Sequence, residues 1–290
     1  MNGILLVDKE AGMTSRDVVN KVGRILDTKR VGHTGTLDPM ATGVLVLCVG
    51  NATKISELIT SYDKEYIAGV TLGIETDTLD IEGAVLSEVS NVEVTKEQIE
   101  ESLKLFVGKI EQEVPKYSAI RVNGRKLYSY ARNNIEVELP KREIEIYELS
   151  LVGDLEAADG KIKFKIKCHV SKGTYIRSLA RDIGLKLGYP SCMSSLRRIK
   201  QGNFKIEDCH TLDDIEKNNY EMLKIKDILP DMKEMVIDED LEHKIRNGSI
   251  IDKTFDGDMI KIITSSGELI AIYKTQDTDP MKAKPYKMII

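Results

Sequence analysis

Asp38 is the residue best placed to do chemistry. It lies in residues 32–43 (GHTGTLDPMATG), a loop stiffened by Pro39, bounded by Gly35 and Gly43, and followed at once by the apolar run 44–49. Polar groups on loops fixed by a rigid sheet are where reacting side chains tend to sit. Local pattern alone leaves four readings open: nucleophile, general base, metal ligand, or the turn former that an Asp-Pro pair commonly is. The glycines invite a phosphate-loop reading. However, GxxxxGK[ST] is absent here and at residues 50–54 (GNATK), and no helical pattern follows Gly35. Cys48, Cys168, Cys192 and Cys209 form no CxxC pair, and the first two lie in apolar runs that suit a reduced, packed thiol. Cys168-His169 and Cys209-His210 lack zinc spacing, and strand neighbours point to opposite faces, so neither a disulfide nor a metal site is expected.

Asp38 needs a frame. Residues 4–7 read as a short strand, and Thr14 with Asp17 caps a helix whose apolar face is Val18, Val19, Val22, Ile25 and Leu26. Residues 44–49 must be a buried strand, and strand signals recur at 65–72 and 84–88. Thr95 and Gln98 form a second capping pair, with Ile99, Leu103 and Phe106 inward and Gly108 closing the helix. Residues 161–168 alternate strictly, lysines on one face and Ile162, Phe164, Ile166 and Cys168 on the other, as in a half-buried strand. Helical periodicity runs from Tyr175 to Leu187 and ends at Gly188, and Thr211 with Asp214 signals another helix. A short helix ending near Gly248, two strands and the turn 265–267 suggest a small separate β domain at the end of the chain.

With 290 residues, 41% apolar and 31% charged, the chain has the profile of a soluble protein with one large and one small domain. No apolar run is long enough to span a membrane and no cleavable leader is visible, so a cytoplasmic location is expected. The net charge of −5 is segregated. Residues 161–205 hold twelve Lys/Arg against one acid and residues 116–142 hold seven against two, whereas 74–113 and 206–245 are each −8. Phosphate contacts need local positive charge, so one basic face could meet a nucleic acid; a solvated surface is the plainer alternative. In 114–142, Tyr117, Tyr128 and Tyr130 stand among cations, which suits stacking on unpaired bases equally with tyrosines packed on a core.

GHTGTLDPMATGVL resembles the catalytic motif of the TruB family of tRNA pseudouridine synthases, whose aspartate aligns with Asp38. LLVDKEAGMTS, GNATK, YDKEY, TDTLDIEG, VPKYSAIRVNGRKLYSYAR, SKGTYIRSLARDIG and SSLRRIKQGNF resemble family segments in the same order, from about residue 2 to 206. The resemblance implies an α+β fold, a mixed and mainly antiparallel central sheet flanked by helices, over residues 1–227. A short PUA-like β domain would follow over 228–290. It implies a stand-alone enzyme, expected to be monomeric, that isomerises uridine 55 in the T-loop of tRNA without cofactor, metal, membrane or guide RNA. The uracil is detached from C1', turned, and rejoined through C5.

By the same resemblance Asp38 is the nucleophile and Arg177 the guanidinium that pairs with it and favours its charged form. Tyr66 stacks on the target base and is a candidate for the C5 deprotonation. His33 occupies the space the flipped base leaves, a departure that costs roughly a few kcal/mol of stacking. Asp80 organises the site, while Lys54 and Leu196 match a basic residue and an apolar pocket residue. Glu10 stands where the family usually has proline, and Cys192 where many members have histidine. A guide-dependent, dyskerin-type relative shares the aspartate motif but lacks the basic insertion at about 114–142. A nonenzymatic RNA-binding protein would leave the joint presence of Asp38, Tyr66 and Arg177 without a reason.

Overall fold

The computed structural model describes residues 1–133 and 135–290. The chain begins with strand β1 (Gly3–Lys9), helix α1 (Ser15–Ile25), strands β2 (Val31–His33) and β3 (Thr42–Val49), helix α2 (Ser56–Thr60) and strand β4 (Lys64–Leu72). A small hairpin follows, β5 (Ile74–Thr76) and β6 (Val85–Glu88), then α3 (Lys96–Lys104) and β7 (Gly108–Glu113). The insertion folds as a two-residue-per-strand hairpin, β8 (Arg121–Val122) and β9 (Arg125–Lys126), and a short helix α4 (Leu127–Arg132). The catalytic half closes with β10 (Lys141–Ala158), β11 (Lys161–Val170), α5 (Ile176–Leu187), β12 (Ser191–Gln201), β13 (Phe204–Lys205) and α6 (Leu212–Glu216).

One sheet in the order β1-β3-β12-β4-β11-β10-β7 carries the catalytic half, with β2 added to β3 and β13 to β12. Every pairing is antiparallel except β3 with β12, so the expected mixed, mainly antiparallel sheet is what forms. The run 44–49 is buried on both faces. Leu45, Leu47 and Val49 pack with Leu5, Val7 and the apolar face of α1, while Val44, Val46 and Cys48 face the other way with Ile4 and Leu6. Fully burying each such side chain is worth about 1.5–3 kcal/mol, which is why this strand can serve as a rigid floor. The capping boxes at Thr14/Asp17, Thr95/Gln98 and Thr211/Asp214 all form. α5 ends at Gly188 with φ 84°, the left-handed residue a helix C-terminus favours.

Cys168 pairs with Tyr66 and Lys167 with Ile67, so β11 presents its apolar residues to the face that carries Tyr66 and its lysines to the opposite one. His169 shares that opposite face, bonded to Asp63 and packed on Tyr147, while Cys168 is buried. The two members of this Cys-His pair thus cannot share a ligand. Burial pushes the thiols of Cys48, Cys168 and Cys209 up to about 12 and that of Cys192 to about 11. Cys192 is fully buried in the sheet, turned away from solvent.

Five more strands, β14 (Glu234–Ile237), β15 (Ile251–Asp252), β16 (Met259–Thr264), β17 (Leu269–Gln276) and β18 (Asp279–Met288), with helix α7 (Glu239–Arg246), build the C-terminal sheet in the order β14-β16-β17-β18-β15. Ile263, Leu269, Ile272 and Ile289 from this sheet join Ile4, Leu6, Val44 and Val46 in one cluster. Ile225, Ile228 and Leu229 belong to it as well, so the expected boundary at 227/228 runs through packed core. No helix among the described residues is long and apolar enough to cross a membrane.

Candidate active site

The Asp38 loop is pinned from below. Lys9, fully buried at the end of β1, donates through Nζ to the carbonyls of Glu10 (2.9 Å), Pro39 (3.1 Å) and Ala41 (2.6 Å). Ser15 Oγ donates to the Leu37 carbonyl at 3.1 Å and accepts from the Leu37 N–H at 2.9 Å. On the far side Arg198, 1% exposed, donates to the carbonyls of Val44 (2.6 Å) and Gly35 (3.0 Å). Gly43 is obligatory: its φ is 101°, and a Cβ there would stand 2.1 Å from the Arg198 carbonyl oxygen. The sequence reading assigned no role to Lys9, because a lysine next to Asp8 at the end of a strand reads as surface. Lys9→Met strips three carbonyls of their donor and is expected to cost about 3 kcal/mol of stability, measured by urea unfolding. Unchanged stability would show that the loop holds without it.

Arg177 occupies the first turn of α5 and is 8% exposed. Its Nε lies 3.1 Å from Asp38 Oδ2 and its Nη2 3.5 Å from Asp38 Oδ1. The remaining donors reach the carbonyls of Thr78 (2.9 Å) and Tyr117 (3.0 Å) and Asp80 Oδ2 (3.5 Å). Asp80, 6% exposed, is itself held by Thr78 Oγ1 (2.7 Å) and the Glu82 N–H (3.2 Å). One guanidinium thus ties together the Asp38 loop, the turn after β5 and the start of the insertion.

Above this pair opens a cavity of about 310 Å³. Tyr66 and Leu196 form its floor from neighbouring strands β4 and β12, each 8% exposed. Thr174, Tyr175 and Ile176 give one wall, Tyr117, Ser118 and Tyr128 another. The insertion's tyrosines therefore divide: Tyr117 and Tyr128 line the cavity, whereas Tyr130 is buried and donates to the Val122 carbonyl at 3.0 Å. Lys126 and Arg132 each lie 5.4 Å from the centre of the Tyr128 ring. Ser118 is 7% exposed and its Oγ has no hydrogen-bond partner among the described residues.

His33 and Lys54 are not among the residues lining this cavity. His33 sits on β2 with Nδ1 buried and without a partner among the described residues, and burial, reinforced by Arg16 and Arg198, lowers its pKa, which keeps the ring neutral. Lys54 lies in a 3₁₀ turn after β3 and donates to the carbonyl of Ile290, at the opposite end of the chain.

Burial dominates and raises the Asp38 pKa; Arg177 pulls it down, as a pairing guanidinium does, and Lys9 works the same way, while the Asp80 charge adds to the rise. Tyr66 is raised as well, chiefly by burial and against the Arg198 charge, so it is a neutral phenol at pH 7. No group of His, Cys, Asp and Glu suited to a metal ion occurs among the described residues.

Residues 23–176 match the TruB family pseudouridylate synthase N-terminal domain and residues 177–237 the tRNA pseudouridylate synthase B C-terminal domain. The chain is 42% identical over 301 residues to tRNA pseudouridine synthase B of Bacillus cereus, covering 100% of this chain and 98% of that one. Identity is 41% over 303 residues to the protein of the same name from Listeria welshimeri, with the same coverage. Among solved structures, the crystal structure of a Cbf5-Nop10-Gar1 complex aligns with a TM-score of 0.71 at 24% identity, over 99% of this chain and 85% of that one. An H/ACA RNP bound to a substrate RNA containing 2'-deoxyuridine aligns with a TM-score of 0.70 at 24% identity, with the same coverage; these two likenesses concern the fold. With its sheet, its aspartate loop and its full-length relatives in agreement, the chain belongs to the TruB family of pseudouridylate synthases.

Proposed function

We propose that the protein isomerises uridine 55 in the T-loop of tRNA to pseudouridine, acting as a monomer without a guide RNA. The observation that carries this is the Asp38–Arg177 pair, 3.1 Å apart, at the edge of a cavity floored by Tyr66 and Leu196. The reaction breaks the C1'–N1 bond and forms a C1'–C5 bond; the C5 proton leaves to solvent and N1 takes one up, so atoms and electrons balance without a cofactor. Asp38, ionised, acts first, by attack at C1' or by promoting loss of uracil. Arg177 fixes the direction in which that carboxylate points.

The detached base needs a flat apolar surface on which to turn, which Tyr66 and Leu196 supply. Tyr66, as a neutral phenol, stacks first and takes part in the C5 proton loss only after the base has reoriented. The hydroxyl of Ser118, without a partner among the described residues, offers a hydrogen bond to the polar edge of the base. His33, neutral and outside the cavity, suits the wedge that fills the gap in the RNA, and Asp80 organises Arg177. Lys54, far from the cavity lining, would act on the tRNA body alone. The relatives named for tRNA share 40–42% identity over the whole chain, which supports the stand-alone reading.

Incubating the pure protein with unmodified tRNA transcript, with no guide, and mapping pseudouridine chemically tests this. The expected product is one pseudouridine, in the T-loop. No product until a guide RNA is supplied would overturn the stand-alone reading.

A further inference from the structure

α5 begins without the usual cap. Its N-cap residue is Tyr175, whose side chain makes no capping bond, yet Thr174, Tyr175, Ile176 and Arg177 together form a wall of the cavity. A helix start left open in this way frays, because its first N–H groups lack intrahelical partners. Here one of the missing bonds, that of the Tyr175 N–H, comes from the sheet edge. Gln112 on β7, 2% exposed, accepts from the Tyr175 N–H through Oε1 at 2.8 Å and donates from Nε2 to the Tyr175 carbonyl at 3.0 Å. The next residue continues the tie: the Glu113 carbonyl accepts from Ser178 Oγ at 2.8 Å, and its carboxylate meets Arg181 Nη1 at 2.8 Å.

The carboxamide thus copies a strand's paired N–H and C=O against the backbone of a single residue, two positions before Arg177. Because β7 pairs with β10 at the edge of the sheet and leads directly into the insertion, the same strand end places both Tyr117, whose carbonyl holds Arg177, and the helix turn that carries Arg177. We propose that Gln112 is a positioning residue for the isomerisation: its clamp on Tyr175 sets where the Arg177 guanidinium meets Asp38. This inference rests on the proposed function.

Gln112→Met keeps the length of the side chain and removes both hydrogen bonds. Displacing a reacting group by about 1 Å can cost about 100-fold. We therefore expect kcat to fall about 30-fold, with KM for tRNA changed less than about twofold. The acid limb of the kcat–pH profile should also move upward, since a slackened Arg177 no longer offsets the burial of Asp38. A merely structural role would not move that limb.

Gln112→Glu guards against a variant that folds poorly. Its carboxyl can donate to the Tyr175 carbonyl only when protonated, so its kcat relative to the native enzyme should rise as pH is lowered. Glu111→Ala, on the exposed side of the same strand, should behave as the native enzyme. Native kcat and pH profile in both Gln112 variants, or a raised KM at constant kcat, would overturn the clamp. The two failures are separable: native protein that makes no pseudouridine removes the functional reading, whereas active native protein with unaltered Gln112 variants removes the clamp alone.

Discussion

Asp38→Asn should release no measurable tritium from tRNA labelled at C5 of uridine, a loss of at least about 10⁴-fold, as removal of a covalent nucleophile usually gives. The amide matches the carboxylate in shape and can still accept from Arg177, so the loop held by Lys9 and Ser15 should stay in place. What disappears is the charge. Because burial raises the Asp38 pKa, the fold penalises the carboxylate relative to the unfolded chain. Any stability this gives is fully present below the ordinary value of 3.8 and is lost as pH rises through the raised one. At neutral pH the asparagine variant should therefore be no less stable than the native protein, and it should still bind tRNA. The same shift fixes the sign of the native pH profile: kcat falls on acidification, at a pH above the ordinary aspartate range. Turnover in the asparagine variant above about 1% of native would remove Asp38 as the nucleophile.

Arg177→Met should reduce single-turnover rate by about 10³-fold, the scale seen when a preorganised electrostatic partner is removed. It should also cost about 3 kcal/mol of stability, because Asp80, with a side chain only 9% exposed, loses its buried cation. Arg177→Lys separates charge from geometry. An ammonium can face Asp38 but cannot at once reach Asp80 and the carbonyls of Thr78 and Tyr117, so less than about a tenth of the activity should return. If the methionine variant, assayed where it is fully folded, turns over at the native rate, Arg177 is a structural anchor.

The elements around the site were legible where periodicity is clean: β3 as an unbroken apolar run, β11 as strict alternation, three helix starts as capping boxes. Five strands of the sheet were not: β2, β7 and β13 are short, and the long β10 and β12 are irregular. In β10 the register slips between Ile146 and Glu148, so the inward residues Ile144 and Ile146 are followed by Leu149 and Leu151, and the alternation changes phase. In β12 slips occur between Met193 and Ser195 and between Arg198 and Lys200, and the strand carries a fully buried arginine that reads as surface. β18 holds Pro285 and four lysine or aspartate positions that hide its pairing with β17.

Asp38 was legible as a fixed aspartate but not, from its own surroundings, as the proposed nucleophile, since a turn aspartate has the same neighbours in sequence. Its difference lies in Arg177, which is 139 residues away. Lys9, Arg198 and Gln112 act through backbone carbonyls and N–H groups, for which a sequence carries no mark. The direction of the Asp38 pKa depends on how deeply a loop is covered, which composition does not report.

The central place of β12 has a consequence for how the protein comes into being. Strands β3 and β4 leave the ribosome one after the other, yet they cannot pair with each other; the gap between them is filled by β12, whose Arg197 and Arg198 align with Thr42 and Gly43 on one side and whose Leu196 aligns with Ala68 on the other. A chain still under synthesis thus carries Asp38 and Tyr66 for more than a hundred residues with no cavity between them. β12, the last long strand of this sheet to be made, also completes the floor of the cavity, and such long-range closure is intrinsically slow.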